Sequence, residues 1–153
     1  MSDPIIYPSQ LPPPLQDDYG LNTTDPKLST TLVTGRLRER RRYTNVPTLV
    51  NVRWNMDGEQ ASFFETWFST VLVEGTFWFE APLKTPLGFE PYLCKIRGMY
   101  SGPKLVQVDR WEFTAILELR NRPLIPGGWV NFPDLWFGKS IIDLAINREW
   151  PEA

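Results

Sequence analysis

The residues with the strongest chemical character in this chain are arginines spaced two apart. Arg36, Arg38, Arg40 and Arg42 lie within residues 31–43. If this run is a β-strand, the four arginines share one face, because successive side chains of a strand point to opposite sides. Guanidinium groups bind carboxylates and phosphates through paired N–H donors, and unpaired like charges repel. The spacing therefore predicts a basic surface that binds phosphates or the acidic groups of another subunit.

The usual groups for acid–base and metal chemistry are scarce. His is absent from the sequence, which removes the commonest general base and metal ligand. Cys94 is the single cysteine, and with no base to activate it we interpret it as a small buried hydrophobe. We therefore expect no enzymatic activity, no cofactor and no metal. The alternative in this class is a hydrolase of cell-wall glycan that uses Glu80 and Glu90.

Composition favours one folded domain with appendages. The chain has 153 residues, of which 42% are apolar and 14% aromatic, so burial can drive folding. The net charge of −2 is unevenly spread: counting Lys and Arg against Asp and Glu gives −3 for residues 1–27, +5 for 28–54 and −4 for the rest. One cysteine and no long apolar run predict a protein made in a reducing cytoplasm, without a membrane span.

The first 27 residues predict an extended arm. Residues 1–27 hold six prolines, and proline fixes φ and favours extended geometry in the residue before it. Leu11 and Leu15 flank three prolines that favour polyproline II. We expect a proline-rich arm rather than a packed element, with Leu11, Leu15 and Tyr19 as anchors on a partner. A disordered tail is the alternative.

Residues 28–122 predict a globular sheet-and-helix domain. A turn at residues 44–47 is expected to join residues 31–43 to a second strand, residues 46–54, in a hairpin. Asp57 with Gln60 three residues later is typical of a helix start. Aromatic residues then recur at spacings of one, three and four, which predicts a helix packed on a sheet. These are Phe63, Phe64, Trp67 and Phe68.

Further strands are expected after this helix. Residues 82–88, rich in proline and glycine, predict a loop. In residues 92–97, Tyr92, Cys94 and Ile96 alternate with Leu93, Lys95 and Arg97, which predicts a strand. Residues 110–120 alternate apolar and polar side chains, apart from Ile116. The resulting fold class is α+β: a mainly antiparallel sheet or small sandwich with one amphipathic helix packed on it and extended N- and C-terminal arms.

Residues 123–153 predict an aromatic C-terminal arm with a short helix. Prolines and glycines break the segment, while Trp129, Trp136 and Phe137 make it strongly apolar. Ser140 is expected to cap the short helix. Either the segment covers an edge of its own domain, or its aromatic side chains bind a partner.

Several motifs together resemble a family of small proteins encoded among the tail genes of bacteriophages. The similarity covers about residues 10 to 124. The motifs that carry it are residues 11–15 with 19–20, 38–43, 50–54, 64–68, 79–88 and 117–124. The resemblance implies a structural component of a phage tail, at the baseplate or the tube-to-baseplate junction, and it transfers no catalytic residues.

The expected function follows from the resemblance and the arms together. We expect a non-enzymatic tail or baseplate component in the virion, made in the cytoplasm of the bacterial host. Its partners would be other tail proteins and further copies of the chain in a homo-oligomeric ring. The alternative is a nucleic-acid-binding protein that uses the Arg36–Arg42 strand. The acidic pI of 5.2 weighs against that alternative.

Overall fold

The structure of the protein is a computed structural model that describes residues 3–138. The chain divides into two compact units, Met1–Arg122 and Pro123–Ala153. The first unit contains an α-helix, α1, and the strands β1 to β9. Their bounds are β1 (Ile5–Ile6), β2 (Gly20–Thr23), β3 (Lys27–Thr31), β4 (Leu37–Arg41), β5 (Thr48–Asp57), α1 (Gly58–Thr70), β6 (Phe79–Thr85), β7 (Gly88–Ile96), β8 (Ser101–Gln107) and β9 (Arg110–Leu119).

Seven of these strands form one mixed, mainly antiparallel sheet. Its order is β1-β6-β7-β9-β5-β2, and β8 pairs with β9 beside it. Only the short β1–β6 pair is parallel among these described strands. The remaining two strands, β3 and β4, form a separate two-stranded sheet. The predicted α+β class is confirmed, in the form of a single main sheet with one helix on it rather than a sandwich.

The centre of the sheet is the long pair of β5 and β9. All ten residues of β5 are in register with β9, from Thr48 opposite Leu119 to Asp57 opposite Arg110. Every second side chain of β5 is buried, as expected for a sheet covered on one face. In β9 the apolar side chains that were predicted to share one face do point into the core. Ile116, which breaks the alternation, lies on the outer face and is 43% exposed.

Helix α1 covers the inner face of the sheet. The predicted start is confirmed: the Asp57 carboxylate accepts from the Gln60 amide, and the Gln60 side chain accepts from the Asp57 amide. Phe64 and Trp67 are buried and pack on sheet aromatics, with ring centroids 4.9 Å apart for Phe64–Phe113 and 5.3 Å for Trp67–Phe79. Phe63 is 53% exposed, so its placement on the buried stripe was wrong.

The N-terminal segment is part of the folded domain. Tyr7 and Leu11 are 6% and 5% exposed and belong to the core. β1 adds to the sheet beside β6, and β2 pairs with β5 at the opposite edge. The expectation of an unpacked arm over residues 1–27 is therefore wrong. Its prolines do favour extended backbone, but the aromatic and aliphatic side chains between them fill the core.

Two predicted turns are also corrected. The segment before β5 does not pair with it: β4 pairs with β3, while β5 pairs with β2 and β9. The expected hairpin across residues 44–47 is therefore absent from the described chain. Residues 82–88 are not a loop, because β6 and β7 continue to Thr85 and Gly88 and form a tight hairpin. Pro82 lies opposite Pro91, so neither proline breaks the pairing.

Candidate functional site

The segment between β2 and β5 is largely exposed. We call residues 24–47 the basic hairpin. β3 and β4 pair from Lys27 opposite Arg41 to Thr31 opposite Leu37. The turn is closed by the Leu32 amide donating to the Arg36 carbonyl at 2.9 Å. Every residue of β4 is exposed, so this strand serves no core and presents its side chains outward.

The arginine stripe is shorter than the sequence predicted. Arg38 and Arg40 share one face of β4, opposite Thr30 and Leu28 of β3. Arg36 lies in the turn before β4, and its carbonyl accepts a hydrogen bond there. Arg42 lies beyond the end of β4, with its guanidinium 5.3 Å from the centre of the Tyr43 ring. A four-arginine stripe on one strand is therefore wrong, because the turn interrupts it at one end and the strand stops before the other.

The two faces of the basic hairpin differ in charge pairing. On one face, Lys27 Nζ lies 3.2 Å from Glu39 Oε2, and the Arg41 guanidinium donates to the carbonyls of Tyr43 and Thr44. On the other face, the side chains of Arg38 and Arg40 form no hydrogen bond or ion pair within residues 3–138. They line a shallow cavity of about 200 Å³. Two unpaired guanidiniums on this face are available to an acidic partner.

This cavity also has an apolar component. Its remaining lining residues are Leu28, Thr30 and Leu32. Leu32 is 44% exposed, so aliphatic surface lies beside the two guanidiniums. Such a surface fits a partner that offers both carboxylates and apolar contacts.

The three predicted anchors in the N-terminal segment have different surroundings. Leu11 is in the core and only 5% exposed, so it is not an anchor that projects from the surface. Leu15 is half-buried and its amide donates to the Arg53 carbonyl at 2.7 Å. Tyr19 is half-buried, its hydroxyl donates to the Lys84 carbonyl at 2.6 Å, and burial raises its pKa. Leu15 and Tyr19 line a groove of about 520 Å³ together with Pro13, Pro14, Gln16, Lys84 and Phe89.

The three predicted C-terminal anchors lie in the second unit. Trp129 begins a 3₁₀ turn, Trp129–Asn131, and is 43% exposed. Its ring centroid is 6.0 Å from that of Trp136, in a helical stretch at residues 133–138. Phe137, in the same stretch, is 77% exposed. The predicted short helix capped by Ser140 lies outside the described residues.

A second surface was not found by sequence reasoning. The N-terminal segment crosses the start of α1, where the Gln60 side chain donates to the Gln10 carbonyl at 3.1 Å. Between them lies a groove of about 450 Å³, which we call the helix-start groove. It is lined by Gln10, Leu11, Asp57, Glu59, Gln60 and Phe63. The sequence does contain one indication of an acidic surface here, because residues 54–83 contain five Asp or Glu and no Lys or Arg.

The groups capable of nucleophilic or metal chemistry are few. Cys94 is fully buried, as expected, and burial raises the pKa of its thiol to about 12. Within residues 3–138, no three His, Cys, Asp or Glu side chains are grouped so as to hold a metal ion. No helix in this described part is long and apolar enough to cross a membrane.

Comparisons with known proteins identify no relative. No protein-family model matches the chain, and neither curated proteins nor solved structures give a significant match. The resemblance to phage tail proteins therefore depends on the sequence motifs alone.

Proposed function

We propose that this protein is a non-enzymatic structural component of a bacteriophage tail or baseplate, where it joins subunits in a symmetric assembly. The observation that carries the proposal is the basic hairpin. It is hydrogen-bonded to no strand of the main sheet, and Arg38 and Arg40 have no acidic partner within residues 3–138. A two-stranded ribbon is marginally stable in water by itself. Contact with a neighbouring subunit would stabilise it and pair its charges.

The side-chain inventory supports a structural role over an enzymatic one. The sequence has no His, and Cys94 is inaccessible in the core. Glu80 and Glu90 lie on β6 and β7, where Glu80 is opposite Leu93 and Glu90 is opposite Leu83 rather than opposite each other. This arrangement gives no support to a carboxylate pair acting on glycan. The proposal accordingly includes no cofactor.

The phage-tail part of the proposal is supported by the sequence resemblance. Two of its motifs, residues 50–54 and 64–68, supply Trp54 and Phe64, whose rings pack in the core at 5.3 Å. A third, residues 38–43, covers most of β4. The resemblance thus includes both the core of the domain and the element proposed to join subunits. We place the protein in the virion, with other tail proteins as its partners.

A second candidate function, DNA binding, is favoured by the shape of the basic hairpin. A two-stranded β-ribbon fits the major groove of DNA, and arginines contact phosphates and guanine edges there. However, Glu39 lies within β4 and the whole chain has a net charge of −2, both of which oppose binding to a polyanion. A fluorescence titration at low ionic strength separates the two candidates, since DNA binding must weaken steeply as salt is added.

Quantitative mass spectrometry of purified, nuclease-treated particles tests the proposed function. The particles are those of the phage that carries this gene, and the tail-tube and capsid proteins serve as internal references. We expect the chain at a small, fixed number of copies per particle, in keeping with a ring of the tail. Absence of the chain from intact particles would contradict the proposal.

A further inference from the structure

Charge is separated between the basic hairpin and the rest of the chain. Residues 24–47 contain six Lys or Arg and two Asp or Glu, a net charge of +4. Since the whole chain carries −2, all other residues together carry −6. Within residues 3–138, the ion pairs are Lys27–Glu39, Arg53–Asp18 and Arg53–Glu112. None of them joins the hairpin to another part of the described chain. The acidic groups outside the hairpin therefore do not pair with the hairpin's basic groups within one copy.

The helix-start groove has the chemistry to receive this hairpin. Glu59 is exposed, and Asp57 lines the same groove. Their combined charge outweighs the partial positive charge of about half a unit at the helix N-terminus. Phe63, one turn along α1 from Glu59, is 53% exposed and adds apolar surface. The groove therefore combines carboxylates with an apolar wall, as the hairpin combines guanidiniums with Leu28 and Leu32.

We propose that the basic hairpin of one copy docks in the helix-start groove of a second copy, with Arg38 and Arg40 facing Glu59 and Asp57. This inference rests on the proposed function, because it names the partner of the surface through which subunits are joined. Two features select a second copy of this chain. The first is that the hairpin is basic and the groove acidic. The second is that neither Arg38 nor Arg40 forms an ion pair with Glu59 within the described residues of one copy.

The contact is heterologous, since it joins two different surfaces. Each copy presents one hairpin and one groove, so a docked pair still has a free hairpin at one end and a free groove at the other. Contacts of this kind close into rings when the rotation between copies allows it. The docking therefore produces a ring when the rotation closes and an open filament when it does not.

A pair of complementary variants tests the docking. Arg38→Gln with Arg40→Gln removes the charges of the hairpin and leaves the groove intact, whereas Glu59→Gln removes the charge of the groove and leaves the hairpin intact. All three side chains are exposed, so we expect folded proteins, which circular dichroism checks. Lys104→Gln with Arg120→Gln, and separately Glu90→Gln, change the net charge by the same amounts at other exposed positions and are the matched controls. Asp57 is left unchanged because it caps α1.

Sedimentation velocity of the full chain over a concentration series gives the readout. We expect the unsubstituted chain and both controls to self-associate, and each groove or hairpin variant alone to dissociate at least about tenfold more readily. An equal mixture of the two variants is decisive. Each docked pair then joins an intact hairpin to an intact groove, and the free hairpin and the free groove at its two ends are the substituted ones, which lack the attracting charges. The mixture must therefore form dimers that grow no further.

Several results would overturn the docking. These are a monomeric unsubstituted chain, self-association that both variants retain, or a mixture that stays monomeric although each variant is folded. Binding of the hairpin to duplex DNA without self-association would overturn it as well. The proposed function is judged separately: finding the chain in purified particles supports it even if the docking fails, and an absent chain contradicts it even if the docking succeeds.

Discussion

Replacement of Tyr7 by Ala is expected to destabilise the whole domain, although Tyr7 belongs to the proline-rich N-terminal segment. Its ring is 6% exposed and lies 6.5 Å from Trp54 in a stacked arrangement and 5.8 Å from Trp67 edge to face. Its hydroxyl donates to the Pro12 carbonyl at 2.8 Å. Tyr7 thus attaches the N-terminal segment to the sheet and to the helix at once.

The magnitude follows from these contacts. Truncating a buried aromatic residue to Ala costs about 3–5 kcal/mol of unfolding free energy. Tyr7→Phe keeps the ring and loses only the hydroxyl, so its expected cost is about 1 kcal/mol. Ile6, the neighbouring residue of β1, is 67% exposed. Ile6→Ala is therefore the matched control, with an expected loss below about 1 kcal/mol.

Urea denaturation followed by tryptophan fluorescence measures all three variants, with linear extrapolation to water. Trp54 and Trp67 report directly, because both contact Tyr7. The expected order of stability is Ile6→Ala close to the unsubstituted protein, then Tyr7→Phe, then Tyr7→Ala. A loss for Tyr7→Ala below about 1 kcal/mol would refute the reasoning, since the N-terminal segment would then be a detachable arm.

Three further predictions concern single residues. Asp57→Ala removes the carboxylate that accepts from the Gln60 amide and should cost about 1 kcal/mol in urea denaturation; an unchanged midpoint would contradict a role for the cap. Gly102→Ala should cost more than about 2 kcal/mol, because Gly102 has a φ of +115° and an added Cβ would lie 2.5 Å from the Glu112 carbonyl oxygen; near-normal stability would be incompatible with this close approach. Burial raises the pKa of the Cys94 thiol to about 12 from an ordinary value of 9.0, so the native state keeps this proton where the unfolded state loses it, and stability should decline as pH rises from about 9 toward 12. Cys94→Ala should flatten that decline in denaturation curves taken across this pH range, and an identical slope would contradict the assignment.

The elements predicted correctly are those whose pattern is dictated by a single core. The alternation of β9 and the aromatic spacing of α1 each describe one surface facing the same interior, so local periodicity is sufficient to find them. The start of α1 was equally clear, because its two capping hydrogen bonds involve only Asp57 and Gln60. Phe63 was misplaced, since a broad aromatic stripe does not reveal where the covering sheet ends.

The elements predicted wrongly depend on pairing between distant segments. β5 pairs with β2 and β9. This pairing depends on how the whole core packs rather than on the turn at residues 44–47. Prolines suggested a free arm over residues 1–27 because they oppose helix and central strand, yet Tyr7 and Leu11 bury their side chains from extended backbone. The helix-start groove was missed for the same reason, as its two walls come from residues 10–11 and 57–63.

The proposed tail function is tested most directly by complementation, in a phage whose copy of this gene has been deleted. The rescuing chain carries Glu in place of Arg36, Arg38, Arg40 and Arg42. A second chain, with Arg97→Glu, Lys104→Glu, Arg120→Glu and Arg122→Glu, controls for the change in charge, since these positions are also exposed. Electron microscopy and infectious titre are then compared, with soluble, folded protein verified in both cases. We expect the hairpin variant to yield particles with missing or incomplete tails while the control assembles more completely. Complete, infectious tails with the hairpin variant would contradict the claim that the basic hairpin joins subunits.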